Sequence, residues 1–313
     1  MSRLYAIGEL LIDFQSVGHG GLKDTDTFVK KAGGAPANVV AQAAKLGQSA
    51  SYLTKVGKDG FGEFLIESLA AIGVDVSHIR KDPEHPTSLA FVSLREDGER
   101  EFSFYRQSAA DLEMEPEDFA SLVFQPGDIL EFGSVALASY KGKRTHDFLI
   151  RKALDSGAKI AFDPNLRFNL WKDKEELRET VLRYAREAHI IKIGLDELEF
   201  VTGLGEEEGV KSLFGERLEI LLLTDGSKGA KLFTKDDCFH CPGFKVEAVD
   251  TTGAGDSFFG AFLAKHLLTQ DGKETLSLPE QLAFACKAGA YTTTDYGAIP
   301  AMGDAMRIER KVH

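Results

Sequence analysis

Apolar positions along the chain fall into two alternating rhythms, short continuous runs that predict buried strands and stretches of helical spacing that mostly stop at a glycine. Residues 4 to 14, LYAIGELLIDF, form the first run and predict a central buried strand. In residues 33 to 47, Ala37, Val40, Ala41 and Ala44 recur at helical spacing behind Pro36, and Gly47 stops the helix. A strand over 49 to 56 and a helix over 61 to 72, closed by Gly73, continue the order. The pattern changes at residues 88 to 105, where SLAFVSLR and EREFSFY alternate with period two around Asp97-Gly98, predicting a hairpin. Strand and helix then resume: Ile129 to Phe132, a helix over 142 to 156, Lys159 to Phe162, a helix over 174 to 187, His189 to Ile193, Leu218 to Leu223, and a last helix from Glu280 to Thr293. Such an order predicts an α/β sheet protein interrupted by a β flap. No repeat, low-complexity tract or linker divides residues 1–313, so one domain is expected.

Charge narrows the partners. Lys plus Arg number 37 against 49 Asp plus Glu, a formal charge of −12, with no basic patch to draw nucleic acid or an anionic membrane. The apolar run from Leu4 to Ile12 is broken by Glu9 and too short for a signal peptide, and no 18-residue apolar span follows, so a soluble cytoplasmic protein is expected. Cysteines 238, 241 and 286 make no disulfide framework in 313 residues. Cys238-Phe-His-Cys241 has C-x-x-C spacing but lacks a second ligand pair, which favours a hairpin strand carrying two ordinary thiols over a metal site.

The densest chemistry lies in DTTGAGDSFFGAFLAKHL, residues 250 to 267, a glycine-rich turn feeding a helix with Phe258, Ala261 and Phe262 on one predicted face. Thr251 and Thr252 are expected to cap it, and small residues let an anion approach the bare first-turn amides. Asp256 beside such a site is either a first-turn acid favouring its own helix or a base for a hydroxyl attacking phosphorus. No Lys-Ser or Lys-Thr follows the glycines, and G-x-G-x-x-G is absent, so neither a P-loop nor a dinucleotide fingerprint is present. Asp13 closes the first apolar run, where it either starts a turn or meets a ligand. Asn38, in the first turn after Gly33-Gly34, suits polyol recognition or satisfies local backbone. Arg106 after the hairpin either reaches a substrate or lies solvated on the surface. In Asp163-Pro-Asn165-Leu-Arg167, Arg167 either faces polyphosphate or pairs with Asp163. The small residues Ala283, Ala285, Ala288, Gly289 and Ala290 of the last helix allow close packing or leave room for a flat ring.

DTTGAGDSFFGAFL, together with the upstream Gly33-Gly34-Ala35-Pro36-Ala37-Asn38, resembles the signatures of the ribokinase-like (PfkB) carbohydrate kinases. That resemblance implies a three-layer α/β fold, a mainly parallel sheet with helices on both faces, and a small β lid from about 15–31 and 88–106. It implies transfer of the ATP γ-phosphoryl group to a sugar hydroxyl, with Asp256 as base, Gly253, Ala254, Gly255 and Asp256 as the anion hole, and Asp13, Gly33, Gly34, Asn38 and Arg106 at the sugar. Asn165, Arg167, Lys192, Thr224, Gly226, Gly229 and Ala288 fall on the implied nucleotide side. Glu197 matches the acid of the family's Asn-x-x-Glu and would hold Mg2+ through water, although Gly194 stands where the Asn would be. Potassium dependence and a homodimer are left open by the resemblance. The GAPANV and Ser108-Ala-Ala-Asp111 segments resemble fructokinases, while Arg106 and DPNLR are shared with 2-dehydro-3-deoxygluconokinases; a non-catalytic sugar-binding homologue is the remaining alternative.

Overall fold

A computed structural model of the chain describes residues 1–94 and 100–312. The turn expected at Asp97-Gly98 lies outside the described residues. Strands run β1 (Leu4–Ile7), β2 (Leu11–His19), β3 (Phe28–Gly33), β4 (Ala50–Gly57), β5 (Ile79–Asp82), β6 (Ser88–Leu94), β7 (Arg100–Tyr105), β8 (Ile129–Gly133), β9 (Lys159–Asp163), β10 (Ile190–Gly194), β11 (Ile220–Thr224), β12 (Gly229–Phe233) and β13 (Cys238–Pro242). Helices run α1 (Ala35–Lys45), α2 (Gly60–Ala70), α3 (Tyr140–Asp155), α4 (Lys174–Ala185), α5 (Leu195–Thr202), α6 (Glu206–Leu213), α7 (Ala254–Gln270), α8 (Leu278–Thr292) and α9 (Ala305–Lys311).

Nine strands form the main sheet in the order β13-β12-β11-β10-β9-β8-β1-β4-β5. From β11 to β5 every pairing is parallel, and only β12 and β13 run antiparallel at one edge. Parallel strands flanked by helices are buried on both faces, which explains runs such as Ile129–Gly133, buried throughout. Two large apolar clusters, one around Phe259 and Phe262 and the other around Phe132 and Phe162, form the core on either side of this sheet.

The first apolar run is not one strand. The chain leaves the main sheet after Ile7 and enters a second, four-stranded sheet at Leu11, in the order β3-β2-β6-β7. The break is made by contacts far along the chain: the Tyr52 hydroxyl donates to the Glu9 carbonyl at 2.6 Å, and the Ala35 amide donates to the Glu9 carboxylate at 3.1 Å. Asp13 therefore sits inside a strand of the second sheet rather than at the end of a main-sheet strand. In that sheet β2 pairs parallel with β6 and antiparallel with β3, so it starts earlier than the expected 15–31 and uses both strands of the 88–106 segment.

Helix α7 also differs from expectation. It is not amphipathic: Ser257 through Lys265 are all buried. It lies between α1 and α8 and touches β1, so each side meets protein. Gly260 makes the α1 crossing possible, since a methyl there would sit 2.4 Å from the Val39 carbonyl oxygen. That close crossing brings Asn38 of α1 to Asp256 of α7.

Candidate active site

A cavity of about 260 Å3 opens where the two sheets meet, lined by Leu11 and Asp13 of β2, the Gly34 turn, Asn38, Phe104, Arg106, the 165–170 segment, Lys192 and the start of α7. It lies at the carboxyl ends of the parallel strands, where α/β folds bind ligands.

At its base, α7 begins at Gly253, whose φ of 74° is left-handed and suits glycine. Gly253 supplies no capping side chain. Thr252 instead turns back, its amide and hydroxyl donating to Asp250 Oδ1 at 3.0 and 2.7 Å, so the expected threonine cap is replaced by an aspartate-held turn. The Ala254 amide is turned to the Thr251 carbonyl at 3.3 Å, and Ala254 does not line the cavity. Gly253, Gly255 and Asp256 do, and first-turn amides precede the helix's own hydrogen-bond ladder. Lys192 stands close by, for a methyl on Gly255 would come within 3.2 Å of its Nζ. A half-open anion site with a buried cation beside it results.

Asp256 Oδ2 accepts the Asn38 Nδ2–H at 2.8 Å. Burial pushes the Asp256 carboxyl above its ordinary range, against the pull of Asn38, Lys192 and Arg167. A carboxylate made more basic beside an anion site has what a proton acceptor for a hydroxyl requires. Asn38 is itself buried and lines the cavity; its amide nitrogen donates to Asp256, and its Oδ1 has no partner among the described residues.

Asp13 faces the same space. Burial and the nearby Glu9 and Asp256 carboxyls raise it to about 7, while Arg167 opposes the rise. Gly33 is required here, since a methyl on it would lie 2.0 Å from Asp13 Oδ2. Gly34, at φ 120°, brings its backbone against the Glu9 carbonyl.

Two ion pairs close the walls. Arg106 is buried and not solvated; its Nε and Nη2 donate to Asp111 Oδ2 at 2.9 and 2.6 Å. Lys192 donates to both oxygens of Asp163 at 2.9 and 3.1 Å, and Asp163, pushed to about 7 by burial, is thus the partner of Lys192 rather than of Arg167. Arg167 stays exposed at the cavity rim, its Nη1 donating to the Leu166 carbonyl. Beside it Asn165 adopts φ 43°, a left-handed conformation that asparagine tolerates better than most residues.

The remaining nucleotide-side residues are not gathered into this cavity. Thr224 ends β11 opposite Gly194 at the end of β10, on the strand-end side that the cavity occupies. Gly226 lies in the turn that follows, and Gly229 borders a separate space of about 50 Å3 with Lys228, Lys231 and His240. Ala288 is fully buried, and its carbonyl accepts the Ser257 and Thr292 hydroxyls at 3.1 and 3.0 Å; close helix packing, not room for a ring, explains it. Glu197 accepts the Leu166 amide through Oε1 at 2.7 Å and the Gly194 amide through Oε2 at 2.9 Å. Neither oxygen is thereby exhausted, but among the described residues no three His, Cys, Asp or Glu side chains converge on a metal position. The donor set fits an outer, water-mediated contact to Mg2+, an ion that keeps waters and leans on substrate phosphates.

Glu9, which lines the cavity, and two further acids near it, Asp111 and Glu131, escaped the sequence reading as candidates. All three are buried acids, and burial raises the Glu9 and Glu131 carboxyls, Glu131 well above the usual range. An isolated acid inside an apolar run, as in YAIGELL and ILEF, was the available signal.

Residues 1–304 match the pfkB family carbohydrate kinase profile. The chain belongs to the pfkB family of carbohydrate kinases. Among curated relatives of this kinase chain is the "Probable fructokinase-5" of Arabidopsis thaliana, 40% identical over 307 residues, covering 96% of this chain and 94% of that one. The fructokinase of Vibrio cholerae O395, solved with fructose, ADP and calcium, superposes with a TM-score of 0.90 at 33% identity, covering 100% and 99% of the two chains. A Xylella fastidiosa fructokinase with bound ATP gives a TM-score of 0.86 at 30% identity over 98% and 97%. The likeness thus runs through both sheets of the kinase, and its fold is the ribokinase-like α/β fold expected from the sequence.

Proposed function

We propose that this kinase is an ATP-dependent fructokinase. The observation that carries the reading is Asp256: a carboxyl raised by burial, held by Asn38 at the first turn of α7, beside amides and Lys192 that suit a transferring phosphoryl group. Asp256 takes the proton from the attacking sugar hydroxyl as the Gly253, Gly255 and Asp256 amides steady the charge on phosphorus. Asp13 and the Gly34 backbone hold the sugar by its hydroxyls, and Arg167 at the rim meets phosphate. Glu197 would help hold Mg2+ through water, and the ion would supply charge neutralisation on the nucleotide when bound. The four-stranded sheet acts as the lid, excluding water from the reacting groups. Fructose as the acceptor is supported by the fructokinases that resemble the chain across its length.

An ATP-coupled screen of fructose, ribose, 2-dehydro-3-deoxygluconate and nucleosides tests it. Fructose should give the highest kcat/KM. A higher value for 2-dehydro-3-deoxygluconate would replace the reading with that of an acid-sugar kinase, and no ATP consumption with any sugar would leave a binding protein.

A further inference from the structure

Two buried acceptors on the side of the main sheet that faces α1 and α7 have no donor among the described residues. Asn38 gives its amide nitrogen to Asp256 at 2.8 Å, and Oδ1, the other end of the same amide, is left without a partner. Glu131 Oε2 is the second, on a side chain only 1% exposed. Glu131 stands in register between Ala6 of β1 and Ala161 of β9, and both alanines belong to the apolar cluster that α1 and α7 share. It therefore faces these helices, and α1 packs on β8. Asp163, Asp256, Glu9 and Lys192 act on it, and Lys192 is already engaged by both Asp163 oxygens. Burial and the three acids raise the Glu131 carboxyl well above its ordinary range, so it keeps a proton to donate. Glu9 differs, for its Oε1 accepts the Ala35 amide at 3.1 Å and Arg106 favours its charged form.

We propose that the Glu131 carboxyl is the donor for Asn38 Oδ1, and that this bond fixes the amide with its nitrogen toward Asp256. An asparagine amide carries donors at one end and an acceptor at the other, so the end that faces Asp256 is decided by what meets the opposite end. With a donor at Oδ1, Nδ2 faces Asp256 and favours its carboxylate. Without one, the amide is free to turn and set oxygen against oxygen. Glu131 touches neither sugar nor nucleotide in this account. It acts through Asn38 and is a positioning residue for the proton acceptor. This role rests on the sugar-kinase reading, with Asp256 as base, but not on fructose being the sugar.

Glu131→Met removes the donor at similar volume, and Glu131→Gln keeps one in its side-chain amide. On whichever sugar the wild type prefers, the acid limb of the kcat profile should lie about one pH unit higher in Glu131→Met, making kcat on that limb about 10-fold lower, with KM for sugar and ATP within about two-fold of wild type. Glu131→Gln should keep the wild-type limb. Lys192, Arg167 and Glu197, which also act on Asp256, and Asp13 and Asp163, on which Asp256 acts, are unchanged in both variants and cancel in the comparison. A limb that stays in place in Glu131→Met, as a merely structural role predicts, overturns the proposal. So does a downward shift in both variants, which would mean that each has removed a negative charge near Asp256. Carboxyl 13C titrations of the free protein give the same comparison without turnover. They also decide if Glu131→Met fails to fold: wild-type Glu131 should still carry its proton at neutral pH, and an ionised Glu131 there overturns the proposal. No ATP consumption with any sugar sinks the kinase reading, whereas an unmoved Asp256 midpoint sinks this one, so the two can fail separately.

Discussion

One wall of the cavity stands on the nine-stranded sheet, through Lys192, Asp163 and the first turn of α7; the other stands on the four-stranded sheet, through Leu11, Asp13, Phe104 and Arg106. The first wall is backed by helices and by a core in which Ser257 to Lys265 have no solvent-facing side. The second is thinner. It leaves Val17, Val29 and Tyr105 at 59, 50 and 64% exposure, and its cohesion on the side away from the cavity comes from aromatic contacts such as Phe14 with Phe91 and Phe61. A group that must receive a proton in a narrow geometry gains from the rigid wall, whereas groups that must admit and then enclose a sugar gain from a sheet with few contacts to break. In the proposed function, chemistry falls to the first sheet and access to the other.

The sharpest way to break this comparison is on the rigid wall. Asp256→Asn should retain sugar and ATP binding while kcat falls by about 10²–10⁴, the range for a positioned acid–base group. Turnover within a few-fold of wild type would remove Asp256 from the chemistry.

On the thinner wall the test is a pH profile. Asp13 is raised in the folded state to about 7 from an ordinary 3.8, so between those values the folded chain holds more proton than the unfolded one. Unfolding free energy therefore falls as pH rises through this window, and the loss is complete above about pH 7. Asp13→Asn removes that slope and should gain about 1–3 kcal/mol relative to wild type between pH 4 and pH 8, after allowance for water in the cavity. Parallel stability profiles from denaturant titrations of the two proteins would contradict a raised Asp13. The smallest effect concerns access: backbone amides of β2, β3, β6 and β7 should exchange more slowly once sugar is bound, by more than those of β8 to β11. Equal slowing in both sheets at saturating sugar would mean that the second sheet does not close.

Much of the rigid wall was legible from local signals. Glycines at 253 and 255 with Asp256 mark a helix start built for an anion, and runs such as Ile129 to Phe132 are too apolar for anything but a doubly covered strand. The thinner wall was harder. LYAIGELLIDF reads as one strand because both halves are apolar, and nothing within it shows that Tyr52 and the Ala35 amide will seize Glu9 and turn the chain into another sheet. Thr252 looked like a cap and became the partner of Asp250. DPNLR left open whether Arg167 faces polyphosphate or pairs with Asp163, four residues away, and only the arrival of Lys192 from the neighbouring strand β10 removes the second alternative.

Taken alone, the residue order determined the strand and helix alternation, the glycine-rich turn that opens α7, the family signatures and the negative charge that disfavours polyanions, because each depends on neighbours within a few positions or on a plain sum. Only the tertiary structure decided which charges are spoken for. Asn38 serves Asp256 because α1 crosses α7 at Gly260, and the rise of the Asp13 carboxyl needs Glu9 and Asp256 packed nearby in a space with little water. Burial and pairing are properties of the assembled walls, and a charge's chemistry is set by what surrounds it in space.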